Sequence, residues 1–198
     1  MSFLNVYHEH DPDQPLLTTH DGERIAAELA AHGIRFERWA TKADLAPDAD
    51  PEVVLTAYAE EVEHLKADNG FATADVIGLT PEHPDKDALR AKFLDEHRHS
   101  EDEVRFFVRG EGVFYLHLGA RVYAVGCTEG DLMSVPAGTP HWFDMGPAPH
   151  FTAIRLFTNP EGWVANFTGE TIAARFPRFE ALPTGRGDAA QSESGSVA

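Results

Sequence analysis

Apolar positions recur at helical spacing through the first half of this chain and then give way to short runs of strand character. After Asp21, residues Ile25, Ala26, Leu29 and Ala30 repeat at the period of a helix that Gly33 can end. The following stretch IRFERW reads as a strand. A second helix is predicted with Asp50 as cap, Pro51 in the first turn and a stripe of Val54, Tyr58, Val62 and Leu65, stopping before Asn69-Gly70. A shorter helical pattern from Asp87 to Leu94 carries Leu89 and Phe93. Helices with one apolar stripe need a sheet or another helix to cover, and the second half of the chain supplies the strands for a sheet.

Residues 103–109, 112–118, 121–125, 131–135, 141–144 and 151–157 are strand-like runs punctuated by Gly, Pro and Asp. Such spacing predicts a β-sandwich or barrel, so the expected class is mainly β with flanking helices. Beyond Pro183 the tail TGRGDAAQSESGSVA is too small and polar to bury surface. The expected organisation is one domain over residues 1–183, with helical decoration in its N-terminal part, and a disordered tail over residues 184–198.

A length of 198 residues suits one well-buried core. The formal net charge of −17 disfavours nucleic acid and anionic membrane as partners, because phosphate repels an acidic surface. No run is long and apolar enough to cross a bilayer, and the start MSFLNVYHEHD has neither the basic nor the apolar region of a signal peptide, so the expected compartment is the cytoplasm. Cys127 is the only cysteine, which rules out an intrachain disulfide or a thiolate metal cluster and leaves it as buried filler.

The chemistry lies in DEHRHSEDEV. His97 and His99, two residues apart, fall on one face of an extended chain, and Glu103, Arg105 and Phe107 continue an odd-numbered set on the next strand. Two imidazoles, a carboxylate and a guanidinium facing a barrel interior are costly unless a metal, partner or ligand satisfies them. His141 comes after a corner set by Gly130, Pro136 and Gly138. Three imidazoles and one carboxylate suit Fe(II), Ni(II), Mn(II) or Co(II), and lack the thiolates of structural zinc. Arg105 is the candidate to pair with an anionic substrate, against the plainer role of an ion pair with Asp102 or Glu101. Phe107, Phe143, Phe157 and Trp163 are candidate pocket aromatics. Arg155 points inward or outward with equal warrant, His117 is a second-layer or core histidine, and Glu96 is a hydrogen-bonding or surface residue. His8 and His10 read as a solvated N-terminal segment.

The segments His97-x-His99-x3-Glu103-x6-Gly110 and Gly130-x5-Pro136-x-Gly138-x2-His141 resemble the paired cupin motifs, with Met145 where the second motif usually has asparagine. DEHRHSEDEVRFFVRGEGVFYL, IRFERW and AIRLFTNPEGWVANFTG together resemble the bacterial acireductone dioxygenases of methionine salvage, over roughly residues 3 to 180. The resemblance implies a double-stranded β-helix, a jelly-roll barrel of cupin type, and an Fe(II) or Ni(II) ion on His97, His99, Glu103 and His141. It implies a methylthio-bearing enediol ketone, the acireductone 1,2-dihydroxy-5-(methylthio)pent-1-en-3-one, cleaved by O2. With iron the implied products are formate and 4-methylthio-2-oxobutanoate; with nickel they are formate, carbon monoxide and methylthiopropionate. It also implies a monomer. Another metal-dependent cupin dioxygenase or isomerase, or a non-catalytic cupin that binds a small molecule, would carry the same ligand pattern.

Overall fold

The computed structural model describes residues 1–42, 45–46, 49–159 and 164–182. Trp163 and the expected tail, residues 184–198, lie outside that set. The chain opens on β1 (Phe3–His8) and β2 (Asp11–Thr19), two strands that the apolar pattern does not announce. β1 escapes notice because both of its faces are covered: Leu4 and Val6 enter one apolar cluster, and Phe3 and Tyr7 enter another. His8, the last residue of β1, and His10, in the turn, are exposed as expected, and much of β2 is exposed as well.

Helix α1 (Gly22–Ala30) starts where Asp21 accepts the N–H groups of Glu23 and Arg24, and it buries Ile25 and Leu29. β3 (Arg35–Arg38) comes next. The single helix expected after it is two, α2 (Pro51–Ala57) and α3 (Ala59–Asn69), parted at Tyr58 with φ −106° and ψ 21°. The Tyr58 ring is buried against Phe106 and its hydroxyl accepts the Lys42 N–H, contacts that favour a kink over a continuous helix. β4 (Thr73–Leu79) and α4 (Lys86–Phe93) lead into the barrel strands. These are β5 (His97–Arg98), β6 (Glu103–Leu118), β7 (Arg121–Thr128), β8 (Asp131–Val135), β9 (His141–Asp144), β10 (Phe151–Phe157) and β11 (Asn166–Phe167). Two 3₁₀ turns, Ile172–Arg175 and Phe179–Ala181, end the described chain.

One sheet runs β11-β5-β9-β6-β7-β1-β2, and a second joins β3, β8, β6, β10 and β4, with antiparallel pairing throughout. β6 belongs to both: its first half pairs with β8 and β10, and Glu111–Leu118 pairs with β7. The two strands expected at 103–109 and 112–118 are therefore one long strand that bends. Gly110 makes the bend with φ 73°, and a Cβ there would stand 1.8 Å from the His150 carbonyl oxygen, so only glycine fits. The result is a jelly-roll barrel of cupin type.

The barrel interior holds Phe107, Phe114, Leu116, Val125, Met133 and Phe143, all essentially fully buried. Met145, at the position where the motif usually has asparagine, joins the same apolar cluster. The stripe Val54, Tyr58, Val62 and Leu65 presses on the outer face of the second sheet, against Val104, Phe106, Val108 and Ile154, as the helical pattern predicts. Each such side chain contributes roughly 1.5–3 kcal/mol by burial. Among the described residues, no helix is long and apolar enough to cross a membrane.

Candidate metal centre

Three elements bring the histidines together. His97 on β5 is the register partner of His141 on β9, which places the two rings side by side with centroids 4.5 Å apart. His99, just past β5, lies with its ring centroid 5.2 Å from each of the other two. The glycine corner before His141 is tied to the same segment, since the Gly138 N–H donates to the His99 carbonyl at 2.9 Å. A donor nitrogen from each of His97, His99 and His141 lies within 4.8 Å of the other two. Glu103, at the start of β6, adds Oε2 at 3.5 Å from His99 Nε2 and 3.2 Å from His141 Nε2.

The tautomers are set by the backbone. His97 Nδ1 faces the Asp95 carbonyl at 2.8 Å, His99 Nδ1 the Val164 carbonyl at 3.2 Å, and His141 Nδ1 the Thr139 carbonyl at 2.8 Å. A carbonyl only accepts, so each Nδ1 carries the proton and each neutral ring keeps a lone pair on Nε2. Burial, reinforced by the neighbouring His141, lowers the His97 pKa from 6.5 to about 4, and burial also lowers that of His99. Burial pushes the Glu103 carboxyl up, but the Arg105 guanidinium beside it outweighs this and holds it well below the usual carboxylate range. His97, His99 and Glu103 are thus in the protonation states that bind a cation.

Glu103 Oε2 and His141 Nε2 are both buried and, among the described residues, have no hydrogen-bond partner. Their 3.2 Å approach lacks hydrogen-bond alignment, which leaves an acceptor and a lone pair facing the same point. Orphaned groups of this kind are costly in an apolar barrel, and a divalent cation satisfies both at once. The three imidazoles with this carboxylate fit such an ion.

Arg105 is 5% exposed, and its Nη2 donates to Glu103 Oε1 at 2.5 Å. Its acidic partner is therefore Glu103 itself, and the alternative pairing with Glu101 or Asp102 is not the one formed: Asp102 instead accepts the Ala137 N–H, and Glu101 contacts Thr158 and Asn159. The guanidinium lies 4.8 Å from the Phe114 ring centroid and 4.7 Å from that of Phe143, and its Nε has no partner among the described residues.

A cavity of about 410 Å³ opens over these groups, within the usual range for small-molecule sites. Phe93, Phe114, Phe143, Phe157, Val164 and Phe167 make its apolar wall, and Lys92 and Arg155 add positive charge. Phe143 and Phe157 line it as the sequence suggests, whereas Phe107 lies deeper in the core, against Phe143 and Phe151. Strand phase alone does not separate wall from floor. Arg155 faces the cavity, held by Asp75 of β4 at 2.9 and 2.6 Å. Val164 and Phe167 have no signal in the apolar pattern, because β11 is two residues long and made by pairing with β5. Cys127 is fully buried with its thiol pushed up by burial, in keeping with filler.

Comparison with known proteins agrees with this geometry. A model of the ARD/ARD' family matches residues 4–165. The chain belongs to the ARD/ARD' family. Among curated members, the acireductone dioxygenase of Hahella chejuensis is 64% identical over 182 residues, covering 92% of this chain and 98% of the relative. That of Marinobacter nauticus is 60% identical over 185 residues, covering 93% of this chain and 100% of the relative. A solved acireductone dioxygenase from Bacillus anthracis, with a cadmium ion in its active centre, superposes with a TM-score of 0.72 at 28% identity, covering 84% of this chain and 98% of that one. The family's members are metal-dependent oxidoreductases of the dioxygenase type, so the three-histidine centre is a site for a divalent metal in an enzyme.

Proposed function

We propose that this chain is an acireductone dioxygenase of methionine salvage, cleaving 1,2-dihydroxy-5-(methylthio)pent-1-en-3-one with O2 at an Fe(II) or Ni(II) ion held by His97, His99, Glu103 and His141. The observation that carries the reading is the convergence of three lone-pair nitrogens and an orphaned carboxylate oxygen beneath a mostly apolar cavity with a buried cation. A bound divalent ion supplies Lewis acidity toward the oxygens of an enediolate.

The chain's own residues do the rest. Asp95, Val164 and Thr139 carbonyls fix the imidazole tautomers and ring planes. Arg105 holds Glu103 as a carboxylate through one guanidinium arm and lines the cavity, where a permanent cation pairs with the anionic substrate. Phe114 and Phe143, packed against each other with centroids 4.8 Å apart, together form the aromatic surface on which that guanidinium rests, which limits its rotation. Phe93, Phe157 and Phe167 offer an apolar wall to the methylthio end. Both atoms of O2 enter the products as the carbon chain is cut, giving formate and 4-methylthio-2-oxobutanoate with iron, or formate, carbon monoxide and methylthiopropionate with nickel.

The same reading makes the protein a cytoplasmic monomer. The acidic charge and the lone reduced cysteine support the compartment. Pro12 and Pro15 support the monomer, because they remove N–H donors from the outer strand β2 and blunt it against pairing. The test is anaerobic addition of acireductone to protein reconstituted with iron or nickel, and then O2. Metal-dependent loss of the enediol absorbance, with products that depend on the metal, supports the reading. Stoichiometric metal with acireductone decaying only at its uncatalysed rate overturns it.

A further inference from the structure

Glu96 stands directly before His97, is 3% exposed, and points away from the metal donors. Its carboxylate is gripped on both oxygens. Oε1 lies 2.8 Å from His117 Nδ1, and Oε2 accepts the Thr168 hydroxyl at 2.6 Å. The Glu96 carbonyl also accepts the Thr168 N–H at 3.0 Å, one step beyond the β5–β11 pairing of Phe167 with His97. His117 reaches on through Nε2 to Glu9 Oε2 at 3.1 Å, so the grip is anchored in the turn between β1 and β2. A buried acid placed with this many partners is costly to maintain unless position matters, since an apolar residue would fill the space without desolvation.

What Thr168 ends is the segment that walls the site. Val164, Ala165 and Phe167 line the cavity, the Val164 carbonyl accepts from His99 Nδ1–H, and the Phe167 ring packs edge-on to His97 at 5.9 Å. The segment 164–168 has little else to hold it, with two residues of strand and Val164 and Phe167 about half exposed. We infer that Glu96 is a positioning residue: through Thr168 it fastens segment 164–168 across the cavity and thereby fixes the His99 ring and the wall that receives substrate. Glu96 touches neither metal donor atoms nor the cavity, and acts through the strap it holds. The inference rests on the metal reading above for its consequence, but the fastening itself is a property of the metal-free chain.

The test compares wild type with Thr168→Val, Thr168→Ser and Glu96→Leu. Amide hydrogen exchange on metal-free protein reads the fastening, and the visible absorption of bound Co(II) reads the ligand geometry. Thr168→Val is expected to speed exchange of the amides of residues 166–168 about tenfold, the cost of one hydrogen bond to a charged group. It is also expected to alter the Co(II) spectrum and to raise KM several-fold more than it lowers kcat. Thr168→Ser, which keeps the hydroxyl, restores all three. Glu96→Leu, which offers the Thr168 hydroxyl no acceptor, matches Thr168→Val if it folds, and Thr168→Val decides the matter if it does not. Unchanged exchange in Thr168→Val overturns the fastening, and faster exchange with an unaltered Co(II) spectrum reduces the contact to a structural one and overturns the positioning role. Both readouts stand whether or not acireductone is turned over, so their failure is separate from failure of the proposed function.

Discussion

Two buried carboxylates of the same barrel, Glu103 and Asp144, have opposite fates. Asp144 is completely buried and saturated: Oδ1 accepts from Arg90 Nε at 2.7 Å and the Gly146 N–H at 2.9 Å, and Oδ2 accepts from Arg90 Nη2 and the Phe179 N–H, both at 3.0 Å. Glu103 is nearly as well buried, yet only Oε1 is satisfied, by Arg105, and Oε2 is left facing His141 and His99. Both acids are held below their usual range. For Asp144, burial works against this and hydrogen bonds from Arg90, Phe179 and Gly146 win; for Glu103, burial is overcome by the Arg105 guanidinium. The difference separates a carboxylate that closes the structure, joining α4 and the last 3₁₀ turn to the barrel, from one kept open for a ligand. Burial and charge are shared by both; unfilled hydrogen-bonding capacity is what marks the site.

The sharpest way to break this comparison is to remove a donor at the open end. His141→Ala is expected to weaken metal binding at least about 1,000-fold, beyond what losing an outer partner costs, while folding is retained. Metal analysis after dialysis checks it, and a stoichiometric ion in the variant would sink the assigned donor set. At the closed end, Asp144→Asn should leave metal content intact and cost about 3 kcal/mol in urea unfolding, because Arg90 loses its main partner. A variant that kept its stability but lost metal would reverse the roles drawn above.

Acid sharpens the contrast further. The His97 pKa is lowered from 6.5 to about 4, so below 6.5 the unfolded chain binds the proton that the folded one refuses. Metal-free protein therefore has its full stability from this group above pH 6.5 and loses it as pH falls toward 4, by roughly 3 kcal/mol, with Glu103 adding loss at the acid end of the same range. Urea midpoints measured across this range should slope downward toward acid, and should slope markedly less in His97→Gln. The smallest effect is expected from Arg105→Lys, which keeps the charge but loses the planar fork: metal stays bound and kcat/KM falls about tenfold. Activity equal to wild type would leave Arg105 as the partner of Glu103 and nothing more.

The amino-acid sequence alone already carried the site's vocabulary. The two-apart spacing of His97 and His99, the step to Glu103 and the glycine-proline corner before His141 placed four donors on strand ends, because strand alternation and turn chemistry are local rules. The same rules announced α1, β3 and the strands from Glu103 onward. They were silent where an element exists only because a neighbour pairs with it or covers it, as with β1, whose two faces are both buried, and β11, two residues long and made by pairing with β5. The amphipathic stripe through Tyr58 predicted one helix and could not foresee the kink, since Phe106 and Lys42, which hold Tyr58, come from other parts of the chain.

What only the tertiary structure decided was partnership. Arg105 could have paired with any nearby acid until the fold set its guanidinium against Glu103 and beside two phenylalanine rings. Arg155 had no preferred direction until Asp75 of β4 held it beside the cavity. Glu96 and Thr168, 72 residues apart in sequence, became neighbours only when β11 closed on β5. Residue type and spacing fix which chemistry is available, because they act over one turn or one pleat. Which oxygen is satisfied and which is left open is set by contacts across the barrel, and that choice distinguishes a saturated structural carboxylate from one with an oxygen to spare.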